Sequence, residues 1–405
     1  MIYRLINKLS APVINALVMV LNLFIRRDNH IVLFGAWMGM NFADNTRNLF
    51  QYLHNHGHEY GFHKVIWVTR KQSICDELTN MGYECYMMYD IRSIYYHIKA
   101  GYHINCNCNY SSGKYAGDFI GHLSAGAKKY NLWHGIPLKA GSDVKFRRKD
   151  NIVKKIYNKF SYSKFFKSLF TQGQWDKVLY ASSGRLCTER CSIFHGREKS
   201  SYIECGFPRN LPVPKMTCKE QIILDTIEKF DHVIIYLPTF RDNGSYEHPL
   251  MNDMLKDYIV ENDILWIEKE HSAEKHDIPK IEDIHFCYLP KSFDVNVILS
   301  SIELLITDYS SVCYDAFYWN KPVLFYSPDF EEYNNNERGF LCDYLSVVDK
   351  FCAYDSDGLL VNIRRYVEDN GYKDKLVEHS IVQKNKAYDF EFSYYSICGK
   401  LFSNK

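Results

Sequence analysis

Short apolar runs alternate with longer segments of helical spacing along most of this chain. Ile31-Val32-Leu33-Phe34-Gly35 has the form of a buried strand, and Asp44 to His56 follows with helical periodicity. Val65 to Thr69 is the next strand-like run, with a helix predicted from Gln72. Tyr102 to Cys106 and Leu169 to Thr171 are later strands. The rhythm restarts after Leu211-Pro212-Val213-Pro214-Lys215, the clearest linker signal, with strands at Val233–Leu237, Ile264–Ile267, Leu304–Thr307 and Val323–Tyr326. Strands alternating with helices predict parallel βαβ units, so the chain is expected to be α/β with two such domains in tandem. In open parallel sheets, ligands lie beyond the carboxyl ends of the strands, which directs attention to Thr239, His271 and Asp308–Ser311.

The N-terminus breaks this pattern. Ala11 to Ile25 is largely apolar, interrupted by Asn15 and Asn22 and flanked by Arg4, Lys8, Arg26 and Arg27. It falls short of the ~20 residues that span a bilayer, and it lacks a small-residue cleavage site. Cationic flanks suit a helix lying in the membrane interface; the plainer alternative is a helix packed on the first domain. Net charge is +1, from 49 basic and 48 acidic residues, which argues against a general nucleic-acid binder. The 13 cysteines form no Cys-x-x-Cys, so reduced, buried thiols in a cytosolic protein are expected.

Candidate chemistry concentrates between Ile302 and Tyr344. The apolar run ending at Ile306 halts at Thr307-Asp308-Tyr309-Ser310-Ser311, and a helical run containing Asp315 begins at once. A strand feeding a helix N-terminus gathers unpaired backbone N–H groups, and here two hydroxyls as well, into an anion site. Glu337-Arg338-Gly339-Phe340 brings a guanidinium close in sequence. Together these suit the diphosphate of a nucleotide-activated donor.

Four blocks then carry a specific resemblance. They are Asn131-Leu132-Trp133-His134-Gly135-Ile136-Pro137-Leu138-Lys139, Gly206-Phe207-Pro208-Arg209-Asn210, Tyr236-Leu237-Pro238-Thr239-Phe240-Arg241-Asp242, and Ile306 through Asp315 and Lys321-Pro322 to Asp329, Tyr333, Arg338-Gly339-Phe340 and Asp343-Tyr344. In this order they resemble the CDP-glycerol:poly(glycerophosphate) glycerophosphotransferases, which make teichoic-acid and capsule polymers. The resemblance implies a GT-B-like fold, two Rossmann-like βαβ domains facing a central cleft. The expected division is a membrane-associating segment over 1–29, an acceptor-side domain over 30–210, and a nucleotide-donor domain over 211–405 with closing C-terminal helices. It further implies a peripheral enzyme at the cytoplasmic face of the cell membrane. That enzyme would transfer glycerol phosphate from CDP-glycerol to a lipid-linked saccharide or polymer acceptor, with CMP leaving. Transfer of ribitol phosphate from CDP-ribitol, a GT-B glycosyltransferase using a nucleotide sugar, and a non-catalytic scaffold are the alternatives.

Phosphoryl transfer asks for positioning, charge stabilisation and a base for the attacking hydroxyl. Histidine suits the base because its ordinary pKa lies near neutrality. The resemblance assigns that role to His134; a histidine capping a turn is the plainer alternative. His271 matches the family's second histidine, an acid or charge stabiliser, without the proline that often follows it. Arg241 and Arg338 are expected to clamp the diphosphate, with hydroxyls from Thr239, Ser310 and Ser311. Asp242 and Asp315 suit an arginine or the glycerol hydroxyls, against a helix cap. Arg209 is expected as a hinge or a donor-side contact. Ile136 stands where the family commonly has threonine, which leaves acceptor contacts open.

Trp133, Lys139, Arg147 and Arg148 are expected on the acceptor and membrane side. They open a run, Lys139 to Lys167, with ten basic residues against Asp143 and Asp150 and with interleaved aromatics. Such a run suits an anionic membrane surface; a solvated basic helix is the alternative. No metal or other cofactor is expected. No acidic or cysteine partner completes a convincing metal set with His54, His56 and His58, so a solvated helix end is expected there. Asp355-Ser356-Asp357, similar to the Asp-x-Asp of metal-dependent glycosyltransferases, reads better as an N-cap.

Overall fold

The computed structural model describes residues 2–107, 117–140, 171–239, 241, 246–269, 280–336 and 339–403. Among the described residues, two parallel sheets organise the chain. The first holds β1 (Asp28–Phe34), β2 (Lys64–Thr69), β3 (Glu84–Met87), β4 (Ala100–Asn105), β5 (Lys128–Asn131), β6 (Leu179–Ser182) and β7 (Tyr202–Glu204), in the order β3-β2-β1-β4-β5-β6-β7. The second holds β8 (His232–Leu237), β9 (Ile264–Glu268), β10 (Phe286–Tyr288), β11 (Leu304–Thr307), β12 (Val323–Tyr326) and β13 (Cys352–Ala353), in the order β10-β9-β8-β11-β12-β13. The α/β architecture of two parallel sheets is the one expected.

Helices cover both faces of each sheet, so the central strands are continuous apolar runs. Val32, Leu33 and Phe34 are fully buried and stand in register with Val65, Ile66 and Trp67, which are buried as well. Strand order reverses between β1 and β4 in the first sheet and between β8 and β11 in the second. Ligands of open α/β sheets bind outside such switch points. The two exits that matter are therefore Trp37 with Cys106 in the first lobe, and Thr239 with Asp308 in the second.

The N-terminal helix, Ile2–Phe24, docks on the first lobe. Asn15 donates from Nδ2 to the Thr171 carbonyl at 2.9 Å and accepts from the Gly173 N–H at 2.9 Å. Asn22 donates to the Ala125 carbonyl at 3.1 Å. The two polar interruptions of the apolar run are thus docking contacts, with buried Val18 between them. The other face leaves Val13, Leu17, Val20, Leu23 and Phe24 exposed. Arg27 departs from expectation as a solvent-facing flank. Its guanidinium is bonded to four carbonyls, of His97, Ala100, Leu123 and Ala125, and burial lowers its pKa to about 10. Among the described residues no helix is long and apolar enough to cross a membrane.

The expected strand at Leu169–Thr171 lies outside the described residues except for Thr171, which is a bend; the sheet continues instead at β6. Several connections tie the lobes together. Arg47 pairs with Glu220 at 2.5 and 2.8 Å, both buried, just beyond the linker. The last helix, Tyr394–Phe402, returns to the first lobe, where the Tyr130 hydroxyl donates to the Leu401 carbonyl at 2.7 Å and Phe402 packs on Phe62, Tyr102 and Tyr130.

Candidate active site

His134 stands at the switch point of the first sheet. After β5 the chain turns sharply: Trp133 has φ +54° and Gly135 φ +123°. The Asn131 side chain secures the turn by accepting from the Trp133 N–H at 2.8 Å. His134 Nδ1 lies 3.1 Å from the Cys106 carbonyl at the end of β4. A carbonyl can only accept, so Nδ1 carries the hydrogen and the neutral ring keeps its lone pair on Nε2. The imidazole lies between the rings of Trp37 and Trp133, at centroid distances of 5.3 and 3.9 Å. Burial pushes its pKa below the ordinary value; Asp44 opposes the shift, while Arg209 and Lys139 reinforce it.

The ring lines a cleft of about 400 Å³ between the lobes. Trp133, Lys139 and Asp44 come from the first lobe; Lys269, Lys291, Asp294, Ser310, Ser311 and Asp315 come from the second. Ser310 and Ser311 precede the helix Val312–Tyr318, and Ser311 makes no capping bond. A Cβ on Gly135 would sit 2.5 Å from Arg209 Nη2 and 3.3 Å from Ser311 Oγ. Only glycine fits that close approach. The His-Gly loop of one lobe and the Ser-Ser turn of the other are therefore packed together. Lys269, at the end of β9, is held below its ordinary pKa by burial.

Beneath the cleft, Arg209 joins the lobes. Its Nε and Nη2 donate to the two Asp315 oxygens at 3.0 and 2.6 Å, and Nη1 donates to Asp44 Oδ1 at 3.2 Å. Asn210 adds a bond to Asp315 at 2.9 Å. Burial lifts the pKa of both carboxyls, and Arg209 opposes this; burial also works against the guanidinium charge, but Asp315 and Asp44 outweigh it and raise its pKa. Asp315 thus holds an arginine.

Thr239 and Arg241 do not line this cleft themselves, though Thr239 borders Lys139, which does. The Arg241 guanidinium binds Asp329 through Nε at 2.5 Å and Nη2 at 3.0 Å, and binds Asp308 and the Thr239 carbonyl through Nη1 at 2.8 and 2.6 Å. Tyr246, Tyr309 and Tyr333 surround it at 4.7–5.3 Å. With its donors committed to carboxylates, this residue braces the Asp308 turn in the described structure. Asp308 in turn accepts from the Thr239 and Tyr309 N–H groups.

Lys139 lies in an interlobe bridge. The Ala140 N–H donates to the Gly339 carbonyl at 2.9 Å, the Leu341 N–H to the Leu138 carbonyl at 3.0 Å, and Lys139 Nζ to Thr239 Oγ1 at 3.5 Å. His271, Asp242, Arg338, Arg147 and Arg148 lie outside the described residues. Among the described residues no group of three or more His, Cys, Asp or Glu is disposed to hold a metal. His56 pairs with Glu59, and Asp355 caps the helix Ser356–Glu368 by accepting from the Gly358 N–H at 2.7 Å.

Sequence reasoning missed Asp44, Lys269, Lys291 and Asp294 as cleft residues. Asp44 had only the form of a helix-starting aspartate, and nothing in its neighbourhood distinguished it. Arg209 and Asp329, by contrast, stood inside the quoted blocks, which was signal enough to ask what they hold.

A sequence profile of the CDP-glycerol:poly(glycerophosphate) glycerophosphotransferases matches residues 17–391. The teichoic acid poly(glycerol phosphate) polymerase of Bacillus spizizenii is 27% identical over 335 residues, 78% of this chain and 79% of the relative. The teichoic acid glycerol-phosphate primase of Bacillus subtilis is 30% identical over 182 residues, 44% of this chain and 47% of that protein. The solved wall teichoic acid polymerase TagF superposes with a TM-score of 0.68 at 19% identity, covering 98% of this chain and 97% of its own, which shows that the two-lobed fold is shared. On the span of the profile match, the chain belongs to the CDP-glycerol:poly(glycerophosphate) glycerophosphotransferase family.

Proposed function

We propose that this glycerophosphotransferase moves glycerol phosphate from CDP-glycerol to a hydroxyl of a membrane-linked saccharide or polymer, releasing CMP, in teichoic-acid-type polymer synthesis. The observation that carries the reading is the Nε2 lone pair of His134, fixed by the Nδ1 bond to Cys106 in a cleft that also presents Ser310 and Ser311. The acceptor hydroxyl lies at Nε2 and gives up its proton there as its oxygen attacks the glycerol-bearing phosphorus. The bond from that phosphorus to the CMP oxygen breaks in line. The Ser310 and Ser311 hydroxyls, with Lys269 and Lys291, receive the diphosphate oxygens, and His271 and Arg338 complete that side. A TagF structure obtained after soaking with CDPG supports a donor of this kind.

The exposed apolar face of the N-terminal helix supports peripheral attachment at the cytoplasmic membrane surface, with Trp133, Lys139, Arg147 and Arg148 toward the acceptor. Incubation with CDP-glycerol, CDP-ribitol and a panel of UDP-sugars tests the donor. CMP release with CDP-glycerol, and a product heavier by glycerol phosphate units in mass spectrometry, is the expected result. Turnover with a UDP-sugar alone would overturn it.

A further inference from the structure

We infer that Asp44 is a positioning residue for His134: its carboxylate lines the same cleft beside the loop that bears the imidazole and stabilises the imidazolium that forms when Nε2 takes the acceptor proton. The inference rests on the reading of His134 as the base.

Geometry carries it. Asp44 opens the helix Asp44–His56 with φ +69°, a left-handed backbone that costs energy for a residue other than glycine. That conformation is held from three sides. The Asp44 N–H donates to Asp294 Oδ2 of the second lobe at 2.6 Å. The neighbouring Asn45 side chain donates to the Leu132 and Trp133 carbonyls at 3.0 and 2.8 Å, gripping the loop that bears His134. Arg209 donates to Asp44 Oδ1, and its Nη2 lies where a Cβ on Gly135 would clash. Oδ1 accepts from the Asn45 N–H and from Arg209, so both protein bonds to this carboxylate fall on one oxygen. The carboxylate is 3% exposed and lines the same cleft as the ring. In such surroundings a charge acts strongly on its neighbours.

Asp44, Arg209 and Lys139 act on the charge of His134, and Arg209, His134 and Asp294 on that of Asp44; Lys269, Lys291 and Asp315 line the same cleft. Asp44 favours the imidazolium, against the cations Arg209 and Lys139, which disfavour it. A helix-starting aspartate with a merely structural role explains the bond to the Asn45 N–H, but not the strained φ shared with an interlobe carboxylate.

The test is NMR titration of histidine-labelled full-length protein, with the His134 resonance identified by its absence in His134→Ala. Asp44→Asn keeps an oxygen for Asn45 and Arg209 while removing the charge. The His134 midpoint is expected to fall by about one pH unit, the acid limb of kcat to move to lower pH with it, and kcat to drop about tenfold or more. Asp315→Asn, which loosens the same arginine from the second lobe, is the control. An unmoved midpoint in Asp44→Asn, or an equal displacement in Asp315→Asn, overturns the inference. Retained turnover in His134→Ala would instead defeat the base assignment, and the titration would still report on the pair.

Discussion

Arg209 and Asp315 meet across the lobe boundary through two hydrogen bonds, at 3.0 and 2.6 Å, with both side chains almost wholly buried. Asp44 on the other side completes an acid–base–acid triad beneath the cleft. Removing the arginine strands two carboxylates without their cation. Arg209→Met is therefore expected to lower unfolding free energy by about 3–5 kcal/mol in urea denaturation. A variant as stable as the parent would show that the triad does not hold the lobes.

Gly135 is the second point of close approach. Gly135→Ala introduces a Cβ at φ +123°, 2.5 Å from Arg209 Nη2. Backbone strain of about 1–3 kcal/mol is expected, together with loss of turnover because the His134 loop must shift. Thermal melting and CMP release measure the two effects; unchanged values for both would contradict the packing described.

Arg241 separates bracing from clamping. Its guanidinium satisfies Asp308 and Asp329, so Arg241→Lys loses a two-point pairing that a lysine cannot reproduce. A fall in melting temperature is expected along with any change in donor affinity. Weaker donor binding with unaltered melting would instead make this residue a diphosphate ligand.

Much of this organisation was legible in the sequence. The central strands β1, β2, β8, β9 and β12 stand on apolar runs of four or five residues, and β4 and β11 on shorter or interrupted ones, because strands covered on both faces are largely apolar. The helix Asp44–His56 followed from its helical periodicity. The edge strands β3, β7, β10 and β13 are only two to four residues long, too short to stand out as strands in the sequence. β5 hides behind Lys128 and Lys129. In the site, His134, Ser310 and Ser311 were visible because a strand end followed by glycine or hydroxyl residues has a local signature. The partnerships of Arg209 with Asp44 and of Arg241 with Asp329 span 165 and 88 residues, and no local pattern encodes them.

Acid should destabilise the first lobe. Burial lowers the pKa of His97 to about 4 and that of His103 well below its ordinary value, so the folded protein refuses protons that the unfolded chain accepts below about pH 6.5. Stability is full above that pH. It falls by about 1.4 kcal/mol per pH unit for each such histidine as pH drops from there toward 4. Urea midpoints between pH 7 and 4 measure this; a flat profile would contradict neutral burial of the pair.

The exposed face of the N-terminal helix gives a separable prediction. Leu17→Gln, Leu23→Gln and Phe24→Gln together should reduce sedimentation with anionic liposomes while leaving the melting temperature close to that of the parent, because docking uses Asn15, Val18 and Asn22. Unchanged liposome binding would remove this helix from the membrane surface.

The most direct measurement is CMP release from CDP-glycerol by His134→Ala beside its donor affinity in the same preparation. Loss of turnover by about 10²–10⁴-fold with donor binding nearly intact is the outcome that a proton acceptor at Nε2 requires. Turnover at the parent rate in a folded variant would show that the proton leaves by another route.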